Sequence, residues 1–126
     1  HESYWKIPAH QDWQSNLGST NGITCWIPLV PLTKEMGYLQ VVPDSHLLGP
    51  LETENFGNIP VLKQKDWTFT EIEMDLGDVL VFHNLTVHKS GNNISEMIRL
   101  TAHFRYNDLQ EKSYINRGYP RNRTNE

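Results

Sequence analysis

Short stretches of alternating apolar and polar residues dominate the chain, and none shows the three-to-four-residue apolar recurrence of a helix of about ten residues or more. The alternation is cleanest near the C-terminal end. There Ile98, Leu100, Ala102, Phe104 and Tyr106 interleave with Arg99, Thr101, His103 and Arg105, which predicts a strand with one apolar and one polar face. Residues 23–29 are rich in β-branched and aromatic types and read as a strand. Pro28 and Pro31 cost that strand ladder donors, so its end must lie at an edge or leave the sheet. Residues 38–42 form a shorter strand between a turn at 34–37 and the stop Pro43-Asp44-Ser45. Residues 67–74 alternate imperfectly, 75–78 turn, and 79–82 are a continuous apolar run of the kind found in buried central strands.

Between these elements, residues 14–22 read as a loop, and residues 44–66, with Gly49, Pro50, Gly57 and Pro60, as one long irregular segment. Loops of that length tend to be lids or binding segments. Tyr4, Trp5 and Ile7 lead into Pro8 as a short extended entry, and the polar tail from about residue 108 reads as loosely held. The prediction is an all-β protein, a sandwich or a barrel-like jelly roll.

Composition narrows the classes. With 126 residues, the chain reads as a single domain, 1–126. An apolar share of 37% and a charged share of 21% fit a folded, soluble chain. A net charge of −4 with scattered Lys and Arg offers no footprint for nucleic acid. No apolar run approaches the roughly 20 residues of a membrane span, so no membrane association is expected. The one cysteine, Cys25, excludes an internal disulfide and fits a reducing, cytoplasmic setting; its neighbours Trp26 and Ile27 suggest inert packing in a buried strand. Asn84-Leu85-Thr86, Asn93-Ile94-Ser95 and Asn122-Arg123-Thr124 match the glycosylation pattern, but without a secretory signal they read as chance. The chain does not begin with Met and its first candidate ligand falls ten residues in, which suggests a piece of a longer protein.

The candidate chemistry begins at His10-Gln11-Asp12. On a strand, residues i and i+2 share a face, so His10 and Asp12 can aim at one metal. His88, just past the apolar run, can close the set. Two histidines and a carboxylate grip one face of a metal and leave the other positions open, which suits ferrous iron. Taken singly, these residues read equally well as water-facing or rim polar groups. Arg99, on the polar face of the last strand, offers a guanidinium fork that matches a carboxylate, although a solvated sheet face shared with Arg105 accounts for it as well. Together they describe a metal beside a bound dicarboxylate.

The blocks His10-Gln11-Asp12-Trp13, Trp26-Ile27-Pro28-Leu29, the run from Gly37 to His46, Gly77-Asp78-Val79-Leu80-Val81-Phe82-His83, and His88-Lys89-Ser90-Gly91-Asn92-Asn93-Ile94-Ser95 occur in order. Arg99, eleven residues beyond His88, and Arg105-Tyr106 follow. In these blocks the chain resembles the phytanoyl-CoA dioxygenase family of Fe(II)/2-oxoglutarate oxygenases, from about residue 10 to 106. The resemblance implies a double-stranded β-helix, with Fe(II) held by His10, Asp12 and His88. It implies that Arg99 binds the distal carboxylate of 2-oxoglutarate, with Ser90 assisting and Trp26 close to the co-substrate. It further implies hydroxylation of a C–H bond in a small organic or acyl substrate by dioxygen, with succinate and CO2 as co-products; halogenating relatives lack a carboxylate where Asp12 stands.

Gln11 contacts either ligand or solvent. His46 holds its loop by hydrogen bonds, in a turn where Asp44 replaces the family's glycine, and His83 and His103 line the pocket or support it. Relatives have a substantial region before His-x-Asp that covers the sheet, and part of that region is expected to be missing here. The apolar face Ile98/Leu100/Ala102/Phe104 should then be exposed, favouring a homodimer. The main alternative is a non-catalytic metal- or ligand-binding β-barrel of the same fold. A zinc hydrolase with the same ligands would need a general base and has no use for Arg99.

Overall fold

The computed structural model describes residues 7–120. The expected entry at Tyr4 and Trp5 and the pattern at Asn122 lie outside the described residues. Two antiparallel three-stranded sheets face one another. In the first, β1 (Ile23–Pro28) runs between β6 (Leu80–His83) and β8 (Thr101–Tyr106); in the second, β2 (Leu39–Val41) runs between β5 (Thr70–Ile72) and β7 (His88–Ser90). β3 (Thr53–Phe56) and β4 (Ile59–Leu62) form a separate hairpin, and the only helices among the described residues longer than a 3₁₀ turn are α1 (Asp12–Asn16) and α2 (Lys112–Asn116). This is the all-β jelly-roll architecture.

Trp26, Leu39 and Met74 are buried where the sheets meet, with Leu32, Val41, Ile72, Leu80 and Phe82 packed around them. Alternation decides which residues those are. Thr24, Trp26 and Pro28 of β1 point inward, and Ile23, Cys25 and Ile27 point out. Cys25 is therefore half-exposed on the outer face rather than buried. β1 pairs with β6 only from Ile23 to Trp26, so Pro28 lies beyond that ladder and its missing N–H leaves no gap there.

Four further expectations change. The apolar run at 79–82 is an edge strand, not a central one: Leu80 and Phe82 reach the core while Val79 and Val81 are about half exposed. Its solvent-side residues happen to be apolar, which hides the period of two. Residues 44–66 are not one open loop. A 3₁₀ turn at Ser45–Leu48 is followed by the hairpin, whose two-residue Gly57-Asn58 turn joins Phe56 to Ile59. The hairpin is no lid, since Val61 and Leu62 are buried and the Leu62 N–H bonds the Ala9 carbonyl beside the His10 segment. The stretch at 14–22 begins inside α1. The tail is ordered through α2, because Tyr114 is buried and Glu111 accepts hydrogen bonds from Ser19, Thr20 and the Asn21 N–H.

Two glycines let the sheet close. The Gly91 N–H bonds the Tyr38 carbonyl at 3.0 Å, and a Cβ on Gly91 would lie 2.4 Å from that same oxygen. Gly37 faces it with φ +75 and would press a Cβ against the Asn92 backbone. Only glycine allows β2 and β7 to approach this closely where they end.

Candidate metal centre

His10 and His88 become neighbours through the backbone. Each donates its N–H to the other's carbonyl at 3.0 Å, an isolated antiparallel bridge that extends β7 by one partner. The chain stays extended through Gln11 (φ −113, ψ 137) and then turns into α1, whose first residue is Asp12. The two ligands of His-x-Asp thus share a face because a strand-like segment ends there, not because both lie on a strand.

The three side chains are buried, and their ligand atoms lie within 4.8 Å of one another. His10 Nδ1 sits 2.8 Å from the Pro8 carbonyl and His88 Nδ1 2.9 Å from the Thr86 carbonyl. A carbonyl only accepts, so each ring carries its proton on Nδ1 and keeps the Nε2 lone pair free. Both Nε2 atoms face Asp12 Oδ1 at 3.7 Å. The Phe82 ring stands edge-on to His88, with centroids 4.8 Å apart, and holds it from the side. Histidines pinned at Nδ1 with Nε2 converging on a carboxylate are the arrangement in which imidazoles meet a metal. The donor set fits a divalent cation.

Charge states agree with this. Burial pushes Asp12 up, but the close approach of His10 and His88 and the hydrogen bond and charge of Arg105 outweigh it and hold the carboxyl far below the usual range. Burial and the neighbouring His10 push His88 down to about 3, so it is neutral at neutral pH. An ionised carboxylate and a neutral buried imidazole are ready to bind a cation without first losing a proton.

The remaining candidates are distributed around this centre. Trp26 is in the core between the sheets, its ring 6.1 Å from His103. Ser90 is half-buried on β7, on the same face as His88. Arg99 precedes β8 rather than lying within it; its guanidinium is half-buried and donates to the Gly37 carbonyl at 2.5 Å, with the Met36 and Gly91 carbonyls at 3.4 Å. Among the described residues it has no acidic partner.

Gln11 is fully buried and structural: Nε2 donates to the Gly49 and Leu85 carbonyls, and Oε1 accepts from Gln14 and the Leu51 N–H. The loop at His46 is anchored by its neighbour instead. Ser45 Oγ donates to the Val42 carbonyl and accepts from the Val87 N–H, while His46 packs its ring against His83. His103 lies on the inward face of β8 opposite Trp26, and burial lowers its pKa.

Two groups on Asp12 were not foreseen. Thr24 Oγ1 donates to Oδ2 at 2.7 Å and Arg105 Nη2 to Oδ1 at 3.0 Å. The available signal was position: Thr24 shares the inward face of β1 with Trp26, and Arg105 shares the polar face of β8 with His103.

The described residues contain no helix long and apolar enough to cross a membrane. Residues 2–101 match the model of the family described as phytanoyl-CoA dioxygenase. The chain is 36% identical over 105 residues to a 1-deoxypentalenic acid 11-beta-hydroxylase of Streptomyces arenae, a match covering 75% of this chain and 37% of that protein. Its fold superposes on the epimerase SnoN, solved in complex with Fe3+, alpha ketoglutarate and nogalamycin RO, with a TM-score of 0.66 and 27% identity over 81% of this chain and 42% of that one. It also superposes on the non-heme monooxygenase ThoJ, with a TM-score of 0.68 and 22% identity over 83% of this chain and 41% of the other. The chain therefore spans about two fifths of the length of the proteins it matches. By the extent of the family match, and with the three ligand positions in place, this chain belongs to the phytanoyl-CoA dioxygenase family.

Proposed function

We propose that the chain carries the iron and co-substrate site of an oxygenase that hydroxylates a C–H bond of a small organic or acyl substrate. His10, Asp12 and His88 would hold Fe(II), and bound there the iron supplies the redox chemistry that couples loss of CO2 from 2-oxoglutarate to oxygen insertion. The reaction balances as substrate C–H, dioxygen and 2-oxoglutarate giving alcohol, succinate and CO2. The protein's own contribution is positional. Nδ1 bonds to Pro8 and Thr86 lock both imidazoles, and three ligands on one side leave the opposite side open.

The observation that carries this reading is the convergence of two Nε2 lone pairs on one buried carboxylate oxygen. Arg99 is the group for the distal carboxylate of 2-oxoglutarate, because its half-buried guanidinium has carbonyl partners but no acid among the described residues. Ser90 and Trp26 would complete the co-substrate wall. The SnoN complex, with iron and alpha ketoglutarate bound in the same fold, supports this ligand pair. The unpaired Cys25 agrees with a cytoplasmic setting, and the open outer face of the first sheet agrees with pairing of two copies.

The test is anaerobic addition of Fe(II) and 2-oxoglutarate, which should raise a visible charge-transfer band, followed by succinate production in air. Asp12→Ala should abolish both. Unchanged turnover in that variant would refute the triad. Metal binding without any succinate would favour the rival reading, a metal-binding β-barrel with no turnover of its own.

A further inference from the structure

The Asp12 carboxylate is held more tightly than a metal ligand alone requires. Asp12 is 2% exposed and Thr24 fully buried, and both carboxylate oxygens are already engaged. Thr24 and Arg105 sit directly opposite one another on β1 and β8, so the sheet itself fixes their separation. Oδ2 is taken by the Thr24 hydroxyl. Oδ1 accepts from Arg105 and also faces both imidazole Nε2 atoms. A carboxylate oxygen has two lone pairs, so Arg105 can hold one and leave the other directed at the imidazoles.

We propose that Thr24 and Arg105 are positioning residues for the metal, holding Asp12 as a one-oxygen ligand through Oδ1. The inference rests on the metal centre proposed above. A carboxylate free to swing would bring both oxygens to the cation and fill a coordination position that a chelating co-substrate and dioxygen need. The Thr24 hydroxyl prevents the swing by tying Oδ2 back to β1. The Arg105 guanidinium fixes the plane of the carboxylate from the other side. Arg117 is a contrast within the same protein, since among the described residues its guanidinium hydrogen-bonds the backbone carbonyls of Leu17, Gly18 and Ser113 and does not touch Asp12.

The experiment is a Co(II) titration of the 126-residue chain, read by visible absorption, with circular dichroism to confirm folding. Thr24→Val and Arg105→Gln should each weaken Co(II) binding by about 10- to 100-fold, the usual range for outer partners of metal ligands. Both should also alter the Co(II) absorption band, which a merely structural role would not do. Arg105→Lys, which keeps a cation near Oδ1, should recover much of the affinity, and Arg117→Gln should leave affinity and band unchanged. If Arg105→Gln does not fold, Thr24→Val decides, because it removes one hydroxyl at nearly constant volume. Folded Thr24→Val and Arg105→Gln proteins with wild-type affinity and band would overturn the positioning role while leaving the metal centre standing. A wild-type chain that binds Co(II) no better than His10→Ala would overturn the centre and this inference with it.

Discussion

At the scale of single residues, the chain tolerates local strain at Asp44. Asp44 holds a left-handed conformation (φ 58, ψ 2) just before the Ser45–Leu48 turn. That geometry explains why a glycine suits the position, since a side chain on L-residues crowds the following carbonyl there and Asp is among the few that accept it. Asp44→Gly should therefore stabilise the protein by up to about 1 kcal/mol, offset in part by the extra freedom of glycine in the unfolded chain. A rise in melting temperature would confirm it, and a fall would mean that the Asp44 side chain contributes more than its strain costs. Ser45 beside it shows why residue type alone misleads: the serine, not His46, ties the turn to Val87, just before β7.

Elements meet at places where the sequence permits close approach. The β2–β7 pairing ends at Gly37 and Gly91, and the same backbone supplies the carbonyls that receive Arg99. Gly91→Ala would force a Cβ to within 2.4 Å of the Tyr38 oxygen, so the strands must part. A loss of about 1–3 kcal/mol is expected, measured as a lower denaturant midpoint. At the other end, α2 is tied down through Glu111. Burial raises that carboxyl, but hydrogen bonds from Ser113, Ser19, Thr20 and the Asn21 N–H hold it down at about 2. Because its folded pKa lies below the ordinary 4.5, its contribution is complete above that value and is lost as pH falls toward 2. Protection factors of the amides across residues 112–116, corrected for the intrinsic exchange rate at each pH, should fall over that window, and Glu111→Gln should remove that fall.

Across the whole molecule, the two faces of the first sheet have opposite characters. The inner face carries Thr24, Trp26, His103 and Arg105, of which Thr24 and Arg105 bond Asp12. The outer face sets Val81, Cys25 and Phe104 in one row and Ile23 with Tyr106 in the next. Phe104 is 52%, Val81 54% and Tyr106 58% exposed. The exposed apolar face anticipated for β8 is therefore present and continues across β1 onto β6. A contiguous apolar surface of this kind favours association. Phe104→Lys combined with Val81→Lys should reduce concentration-dependent self-association in sedimentation velocity without affecting Co(II) binding. Equal association of the variant would show that this face is not the contact.

The sequence by itself determined the strands with alternating character and, through blocks of residues in order, the family and the candidate ligands His10, Asp12 and His88, because those depend on residue order alone. β1, β2 and β8 were legible for that reason, although Arg99, read as part of the last strand, stands just before β8. The Gly57-Asn58 hairpin was legible in principle, but its polar β3 left no apolar period to see. What only the tertiary structure decided are relations between segments far apart in the chain. The backbone bridge between His10 and His88 makes two distant histidines adjacent, and the pairing of β1 with β8 places Thr24 and Arg105 on the same carboxylate. Likewise, the apolar run on β6 became an edge strand because burial depends on which neighbours a strand acquires, and alternation within one segment carries no record of them.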